Sequence, residues 1–302
     1  MIENYPIDFV VTWVDGNDPV WQAEKAKYSP NKNADNRNVR FRDWDNMQYW
    51  FRAVEKFAPW VNKIHFVTYG HLPKWLNIDN PKLNIVKHSD FIPKEYLPTF
   101  SSHSIELNLH RIEGLAERFV YFNDDMFLLR PVKRELFFAG KDCLPTDFAI
   151  TSTISTTTKE DMMPFIKLNC VTILNGHFDK KEQMKKHFSK WVNLAYGWNA
   201  LRNLIFYGQH RFKGFANNHL AFSSLKSEYE DIWEKEYESL DDTSSHKFRS
   251  KLDLDNWLIR YWQLTRGNFY PIGRHVKGKV YEIYNGVEQN QELFKIIENQ
   301  AM

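Results

Sequence analysis

Short apolar runs alternate with turn signals and amphipathic stretches through the first half of the chain. The run from Ile7 to Val14 is apolar and rich in β-branched residues, and it stops at the dense turn signal Asp15-Gly16-Asn17-Asp18-Pro19. Similar runs at residues 64–68, 83–86 and 119–122 predict three further strands. Strands that alternate with helices are typical of a parallel sheet, and a buried strand that opens into a polar loop is the usual start of a nucleotide-binding α/β fold.

Helical periodicity predicts the elements between these strands. Residues 22–42 are polar and lack periodicity, so we predict a loop there. Apolar residues then recur at helical spacing from Met47 to Phe57, with Asp43 as the predicted N-cap and Pro59 as the stop. A second helix is predicted from Ser101 or Ser102 to Leu115.

The second half of the chain has a mainly helical pattern. Residues 131–175 are mixed, and residues 151–158 predict a loop or an edge strand. Helical patterns cover residues 179–206, 225–237 and 254–264. We therefore predict a single catalytic domain over residues 1–302. Its α/β core spans about residues 1–175, and a mainly helical part spans about residues 176–270 and completes the site.

The strongest local signal for chemistry is Asn123-Asp124-Asp125, directly after the fourth predicted strand. Ligands in open α/β sheets bind at the carboxyl ends of strands. Two adjacent carboxylates repel each other unless a cation lies beside them, and Mg²⁺ or Mn²⁺ prefers such oxygen ligands together with substrate phosphates. The alternative is an ordinary turn, since Asn and Asp are common turn residues.

Other polar residues are weaker candidates when each is taken alone. Asp15, Gly16 and Asn17 follow the first strand and could contact a nucleoside. His219 could act as a general base near neutral pH, and Arg249 has the planar guanidinium that suits phosphate. Loop composition and surface charge explain these residues as well.

The predicted helix after Ser102 carries Glu106, His110 and Arg111. Glu106 and His110 are four residues apart and would share a helix face, and a helix N-terminus favours an anion. A solvated helix face is the alternative interpretation.

Composition narrows the function classes. The net charge of +2 is too weak to indicate nucleic-acid binding. Two cysteines, Cys143 and Cys170, are too few for a disulfide framework and favour a cytosolic location. No signal peptide and no apolar run of 18 residues is present, which leaves only attachment to a membrane surface open. The usual motifs of dinucleotide redox enzymes, P-loop hydrolases, serine hydrolases and zinc proteases are absent.

Four blocks together resemble the Stealth family of polysaccharide phosphotransferases, which is related to the lysosomal-enzyme N-acetylglucosamine-1-phosphotransferase. The first block is IDFVVTWVDGNDP, and the second runs from RFRDWDNMQYW at residue 40 through FVYFNDDMFL, which ends at residue 128. The third spans residues 218–249 and the fourth residues 253–266. The resemblance implies a glycosyltransferase A-like nucleotide-binding core. It also implies transfer of a sugar 1-phosphate from a UDP-sugar to a glycan hydroxyl, with release of UMP.

The resemblance also implies roles for individual residues. Asp124 and Asp125 would hold Mg²⁺ or Mn²⁺ and the diphosphate, with Asp125 also catalytic; His219 would be the general base and Arg249 would hold the phosphate. Residues implied in donor binding are Asp15, Gly16, Asn17, Glu106, Arg111 and Asn123.

The sequence leaves rival functions open. A hexosyltransferase with the same metal site would release UDP, a carbohydrate-binding subunit would have a decayed site, and a phosphohydrolase would need no acceptor sugar. A bacterial capsule or exopolysaccharide enzyme is the expectation. Its acceptor could be lipid-linked, which would place the protein at the inner face of the membrane.

Overall fold

The computed structural model describes residues 5–29, 44–156, 158, 160–284 and 287–301. The chain begins with strand β1 (Ile7–Trp13), helices α1 (Pro19–Tyr28) and α2 (Met47–Phe57), strands β2 (Ile64–Thr68) and β3 (Leu83–Lys87), and helices α3 (His88–Phe91) and α4 (Ser102–Leu107). It continues with strands β4 (Arg118–Phe122), β5 (Phe138–Ala139) and β6 (Leu144–Asp147), and helices α5 (Met163–His177), α6 (Lys180–Lys186), α7 (Phe188–Trp191) and α8 (Asn199–Ile205). The last elements are strand β7 (Phe222–Leu225), helices α9 (Lys226–Lys235), α10 (Tyr237–Ser245) and α11 (Asn256–Thr265), strand β8 (Tyr270–Pro271) and helix α12 (Gln291–Ala301).

The main sheet has the strand order β3-β2-β1-β4-β7. The first four of these strands are mutually parallel, and β7 runs antiparallel to β4. Strands β5, β6 and β8 form a smaller sheet. The predicted α/β class is confirmed, and the mixed sheet is consistent with a glycosyltransferase A-like core.

Both faces of the main sheet are buried, as the nearly unbroken apolar runs of its strands require. Along β1, Phe9 and Val11 pack toward helix α2, whereas Val10 points to the other face. That second face is covered by residues of α4, α5, α9 and α11, among them Ile105, Cys170 and Tyr229. The sheet is therefore packed between two apolar layers, which favours the ends of its strands as the place for a ligand.

Strand direction determines which loops meet at one edge. The carboxyl ends of β1 to β4 lie on the same side because these strands are parallel. Strand β7 is antiparallel, with Phe222 opposite Tyr121, so the segment that enters β7 lies beside the segment that leaves β4. Asp124 and His219 are thereby neighbours although 95 positions separate them in the sequence.

Several predicted element boundaries are wrong. The predicted loop at residues 22–42 contains most of α1, whose N-cap is Asp18, and the remainder, with Asp43 nearby, lies outside the described residues. Asn46, not Asp43, is the residue before α2. The helix that begins at Ser102 ends at Leu107 and is followed by a short 3₁₀ turn at Leu109–Arg111.

The main sheet includes a strand from beyond residue 175. Strand β7, at residues 222–225, belongs to the main sheet, and α11 packs against α5. No helix among the described residues is both long and apolar enough to cross a membrane.

Candidate active site

A cleft of about 260 Å³ opens where the carboxyl ends of β1 and β4 meet. From β1 the strand order continues through β2 and β3 on one side and through β4 and β7 on the other. The space between the carboxyl ends of β1 and β4 is therefore the topological switch point of the sheet. The cleft is lined by Thr12, Trp13, Val14, Trp21, His88, Thr99, Phe100, Ser102, Ile105, Glu106, Asn123, Asp124, Asp125, His219 and Arg249. We call it the β1–β4 cleft.

A second cleft, of about 370 Å³, adjoins the first on the side of β7 and α11. We call it the α11 cleft. The two share the wall residues Ser102, Glu106, Asn123, His219 and Arg249. Asp255 also lines the α11 cleft, and burial raises its pKa to about 6. A group bound in either cleft would therefore face the same histidine and arginine.

His219 is oriented by the carboxylate of Asp125. Its Nε2 lies 3.0 Å from Oδ2 and 3.2 Å from Oδ1 of Asp125. The hydrogen bond to Asp125 raises the pKa of His219 against the opposing effect of burial, and the nearby charges of Glu106 and Asp124 act in the same direction as that bond. Because a carboxylate only accepts hydrogen bonds, Nε2 carries the proton in the neutral ring, and Nδ1 has the free electron pair.

Two asparagines fix the loop that carries His219. Asn217 accepts a hydrogen bond from Arg260 (2.6 Å) and donates one to the hydroxyl of Tyr261 (2.7 Å). Arg260 is buried and forms two 2.8 Å hydrogen bonds to the carboxylate of Asp147. Asn218 is held by Arg274, whose Nε donates to its amide oxygen at 3.0 Å. The histidine therefore stands on a loop with a rigid support.

Glu106 is a buried carboxylate at the junction of both clefts. It is 6% exposed, and Oε1 accepts a hydrogen bond from the hydroxyl of Tyr121 at 3.3 Å. The Tyr121 hydroxyl also contacts Oγ1 of Thr12 at 3.0 Å. A buried carboxyl group at this position favours a cationic ligand or a hydrogen-bond donor in the cleft.

The guanidinium of Arg249 is part of the wall that the two clefts share. Its Nη2 donates to the hydroxyl of Ser102 at 2.5 Å. Within the described part of the chain no carboxylate forms an ion pair with it, although Glu106, Asp124 and Asp125 line the same cleft. A half-buried arginine without an acidic partner is suited to an anionic ligand such as phosphate.

Asp253 ties the loop of Arg249 to helix α4. Its two carboxylate oxygens contact Nδ1 of His103 at 2.8 Å and Nδ1 of His246 at 2.7 Å, and Oδ2 accepts from the backbone NH of Ser250. Burial opposes ionisation, but the hydrogen bonds from His103 and His246 prevail and leave the pKa of Asp253 lowered. These contacts hold Arg249 close to Ser102.

The oxygen ligands near the β1–β4 cleft fit a hard divalent cation. Asp124 and Asp125 lie at its mouth with Asn123 beside them, and Asp124, Asp125 and Glu106 are close enough to influence the titration of His219. The described residues contain no cluster of three or more acidic, histidine or cysteine side chains of the kind that holds a metal by itself. Mg²⁺ commonly takes only one or two carboxylates and completes its shell with water and substrate phosphates.

Four of the predicted site residues lie outside both clefts. The carboxylate of Asp15 accepts from the backbone NH of Asn17 and closes the turn before α1, and the carbonyl of Gly16 accepts from Gln22. Arg111 stacks on the ring of Trp233 at 4.6 Å and donates to Asn108. The structure does not bring these residues to His219 and Arg249. It does bring Glu106, Asn123, Asp124 and Asp125 there.

The sequence interpretation missed His88 and the aromatic wall of the β1–β4 cleft. Burial lowers the pKa of His88 to about 4, so the ring is neutral, and its Nδ1 has no hydrogen-bond partner among the described residues. Trp21 and Phe100 meet edge to face at 5.7 Å, and Phe100 stacks on Phe248 at 5.3 Å. The position of His88 directly after strand β3 was the available signal.

The fold is an α/β fold with a cleft at the switch point of its sheet, the usual position of a ligand site in this class of protein. Family models match at residues 5–33 (Stealth protein CR1, conserved region 1) and at residues 40–144 (Stealth protein CR2, conserved region 2). The predicted resemblance is thus confirmed, and the chain belongs to the Stealth family.

Curated relatives match most of the chain. The capsular polysaccharide phosphotransferase WcwK of Streptococcus pneumoniae is 46% identical over 288 residues, which cover 95% of this chain and 85% of that protein. The receptor polysaccharide phosphotransferase WefC of Streptococcus gordonii is 42% identical over 92% of this chain and 84% of its own length. The exopolysaccharide phosphotransferase cps2G of Lactiplantibacillus plantarum is 40% identical, with 92% and 81% covered.

Proposed function

We propose that this protein is a polysaccharide phosphotransferase that moves a hexose or N-acetylhexosamine 1-phosphate from a UDP-sugar to a hydroxyl of a glycan and releases UMP. The names of its relatives support the phosphotransferase class. The observation that carries the proposal is the wall between the two clefts. There His219, oriented by Asp125, and Arg249, which has no acidic partner among the described residues, face the same space.

The β1–β4 cleft is the proposed donor site. Its aromatic lining, with Trp21 and Phe100, makes this end of the cleft apolar, which suits a uracil ring. The orphan nitrogen Nδ1 of His88 supplies a hydrogen-bonding group for the base or the ribose. The diphosphate then extends along the carboxyl end of β4 toward Arg249.

Asp124 and Asp125 are the residues proposed to hold Mg²⁺ or Mn²⁺, with Asn123 beside them. A divalent cation bound there would neutralise charge on the diphosphate oxygens. Asp125 has a second task, because its carboxylate also fixes the imidazole of His219.

The acceptor glycan is proposed to enter through the α11 cleft. Its hydroxyl would approach Nδ1 of His219, which takes the proton as the hydroxyl oxygen attacks the β-phosphorus. The bond between that phosphorus and the bridging oxygen breaks, UMP leaves, and a phosphodiester joins the sugar to the acceptor. Arg249 stabilises the equatorial oxygens of the transferred phosphoryl group. Trp257 at the side of this cleft offers a flat surface for a sugar ring.

The test is to incubate the purified chain with a panel of UDP-sugars, Mg²⁺ and short acceptor glycans, and to identify the released nucleotide by chromatography. We expect UMP release that requires both an acceptor and the cation. The variants His219→Gln and Asp125→Asn should slow it by about 10²-fold or more. The matched control is His210→Gln, because His210 forms a similar exposed pair with Asp179, at 2.6 Å and outside both clefts.

Release of UDP in place of UMP would overturn the proposal and indicate a hexosyltransferase. UMP release without an acceptor would indicate a phosphohydrolase. Binding of UDP-sugars with no turnover on any acceptor, also in isolated membranes that contain lipid-linked glycans, would indicate a binding subunit. That last comparison also tests the proposed lipid linkage of the acceptor.

A further inference from the structure

Helix α8 and the turn before it expose an unusual amount of apolar surface. Leu194 is 98% exposed, Trp198 87% and Ile205 76%. Leu201 and Leu204 on the same helix are also exposed. Single exposed apolar residues are common, but five large ones within twelve positions form a patch.

Helix α8 points large apolar residues toward solvent and a polar residue inward, whereas a surface helix normally points its apolar residues toward the core. Its inward residue is Asn203, which is fully buried and whose amide binds the backbone of Ala149, Thr151 and Trp191 at 2.5 to 2.8 Å. Leu201 and Ile205, four residues apart, share the outward side. The helix is thus fixed to the body of the protein by polar contacts, and its apolar side faces solvent.

This apolar patch lies within a basic stretch of the chain. Residues 179–213 contain eight lysines and arginines and two acidic residues, in a protein whose net charge is +2, so the remainder of the chain is net negative. Lys185, Lys186 and Arg211 are exposed, and Nζ of Lys213 lies 6.0 Å from the ring centre of Phe206 at the end of α8. Exposed Trp, Leu and Ile flanked by cations are typical of a surface that lies in the interface of an anionic membrane.

The patch is also connected to the proposed acceptor site. Asn199 and Arg202 of α8 line a third, polar cleft of about 260 Å³. That cleft shares Lys167 and Asn217 with the α11 cleft, and its lining contains Lys167, Arg202 and Arg274 but no carboxylate. A path therefore leads from the α8 surface to the residues beside His219.

We propose that the surface formed by Leu194, Trp198 and helix α8 docks the protein onto an anionic lipid bilayer. The apolar side chains enter the interfacial region, and the surrounding cations contact lipid phosphates. This inference names the membrane-binding surface, and it holds whether or not the donor is a UDP-sugar. A symmetric dimer through the same patch is disfavoured, because a two-fold axis would place two strongly basic surfaces against each other.

The test is vesicle flotation with the full chain. We expect binding to vesicles that contain phosphatidylglycerol, and at least about tenfold weaker binding to pure phosphatidylcholine vesicles or at 1 M salt. The variant Leu194→Gln/Ile205→Gln should lower the partition coefficient on anionic vesicles by about tenfold or more, because each side chain loses its apolar burial. The matched control is Val20→Gln/Ile78→Gln, which changes two exposed apolar residues elsewhere and should bind like the parent protein.

Three results would overturn this inference: no binding of the parent chain to anionic vesicles, equal binding by the α8 variant, or equal loss in the control variant. Sedimentation that shows a dimer dissolved by the α8 substitutions, without vesicle binding, would assign the patch to a second copy of the chain. UMP release with a water-soluble acceptor should be unchanged in the α8 variant. A failure of membrane docking is therefore distinguishable from a failure of the proposed reaction.

Discussion

At the scale of single residues, the tautomer of His219 determines which of its atoms can act. Nε2 faces Asp125 at 3.0 Å, so Nδ1 is the nitrogen available to an acceptor hydroxyl. The arrangement follows the general pattern in which a base is oriented by a third group. In the proposed reaction the ring would act as the base and the carboxylate of Asp125 would position it.

We predict that His219→Gln lowers kcat by about 10²- to 10⁴-fold, the usual contribution of a general base. Donor binding, measured by calorimetry with a UDP-sugar and Mg²⁺, should change little, because the aromatic wall of the β1–β4 cleft is intact. His210→Gln should leave kcat unchanged. A His219→Gln enzyme with nearly full kcat would contradict the assignment of the base.

Arg249 differs from a lysine in geometry and not in charge. One NH group donates to Ser102, and in the proposed reaction the other donors would contact the phosphoryl oxygens. We predict that Arg249→Lys lowers kcat by roughly 10- to 100-fold, since one hydrogen bond to a charged group contributes about 1.5–3 kcal/mol. Steady-state kinetics would measure this, with the exposed Arg211→Lys as the control. An unchanged kcat would mean that charge alone suffices.

At the scale of elements, Asp253 is the link that makes α4 and the loop of Arg249 one unit. The hydrogen bond to Asp253 raises the pKa of His246, against the effect of burial. This contact stabilises the fold fully below the ordinary imidazole pKa of about 6.5 and is lost as the pH rises through the raised value. The lowered pKa of Asp253 has the opposite effect: its contribution is present above about pH 4 and is lost as the pH falls through the lowered value.

The unfolding free energy of the parent protein should decrease between pH 6 and pH 9, as His246 loses its proton. We therefore predict a smaller decrease over this range in the His246→Gln variant. Urea denaturation at several pH values would measure the difference between parent and variant. The control is His275→Gln, an exposed histidine outside this cluster. Parallel pH profiles for the parent and the His246 variant would show that the contact with Asp253 does not contribute.

The strands of the parallel sheet could be predicted from sequence because each is a short apolar run that ends at a turn. Strand β7 could not, since its sequence Phe-Ser-Ser-Leu has no apolar run, and Leu225 was assigned to a helix. Helix α5 was missed because its apolar residues are not confined to one face. The acidic pair, Glu106, His219 and Arg249 were candidates from the sequence, and the structure places them in the clefts. Arg111 lies outside both clefts, because α4 ends before it.

At the scale of the whole molecule, the site exists only when distant segments are assembled. The shared wall takes Glu106 from α4, Asn123 from the end of β4, His219 from the loop before β7 and Arg249 from the loop before α11. The loop before β7 reaches β4 only because β7 pairs with it. Sequence patterns report local structure. They can therefore indicate each of these residues separately, but they do not show that the residues come together in one site.

The same assembly makes the predicted boundary near residue 175 testable. A fragment of residues 1–175 would leave β4 as an exposed sheet edge and would expose the side of α5 that packs on α11. An uncovered edge strand and a bare apolar helix face promote aggregation and loss of specific packing. We predict that this fragment binds a hydrophobic dye, lacks a near-UV circular dichroism signal and unfolds without a cooperative transition. A second fragment, residues 1–284, lacks the 3₁₀ turn at Glu288–Asn290 and helix α12 and should unfold cooperatively. The opposite outcome would be a cooperative transition and UDP-sugar binding with Mg²⁺ by the shorter fragment. It would show that the first 175 residues form the donor site alone and that the sheet is stable without β7.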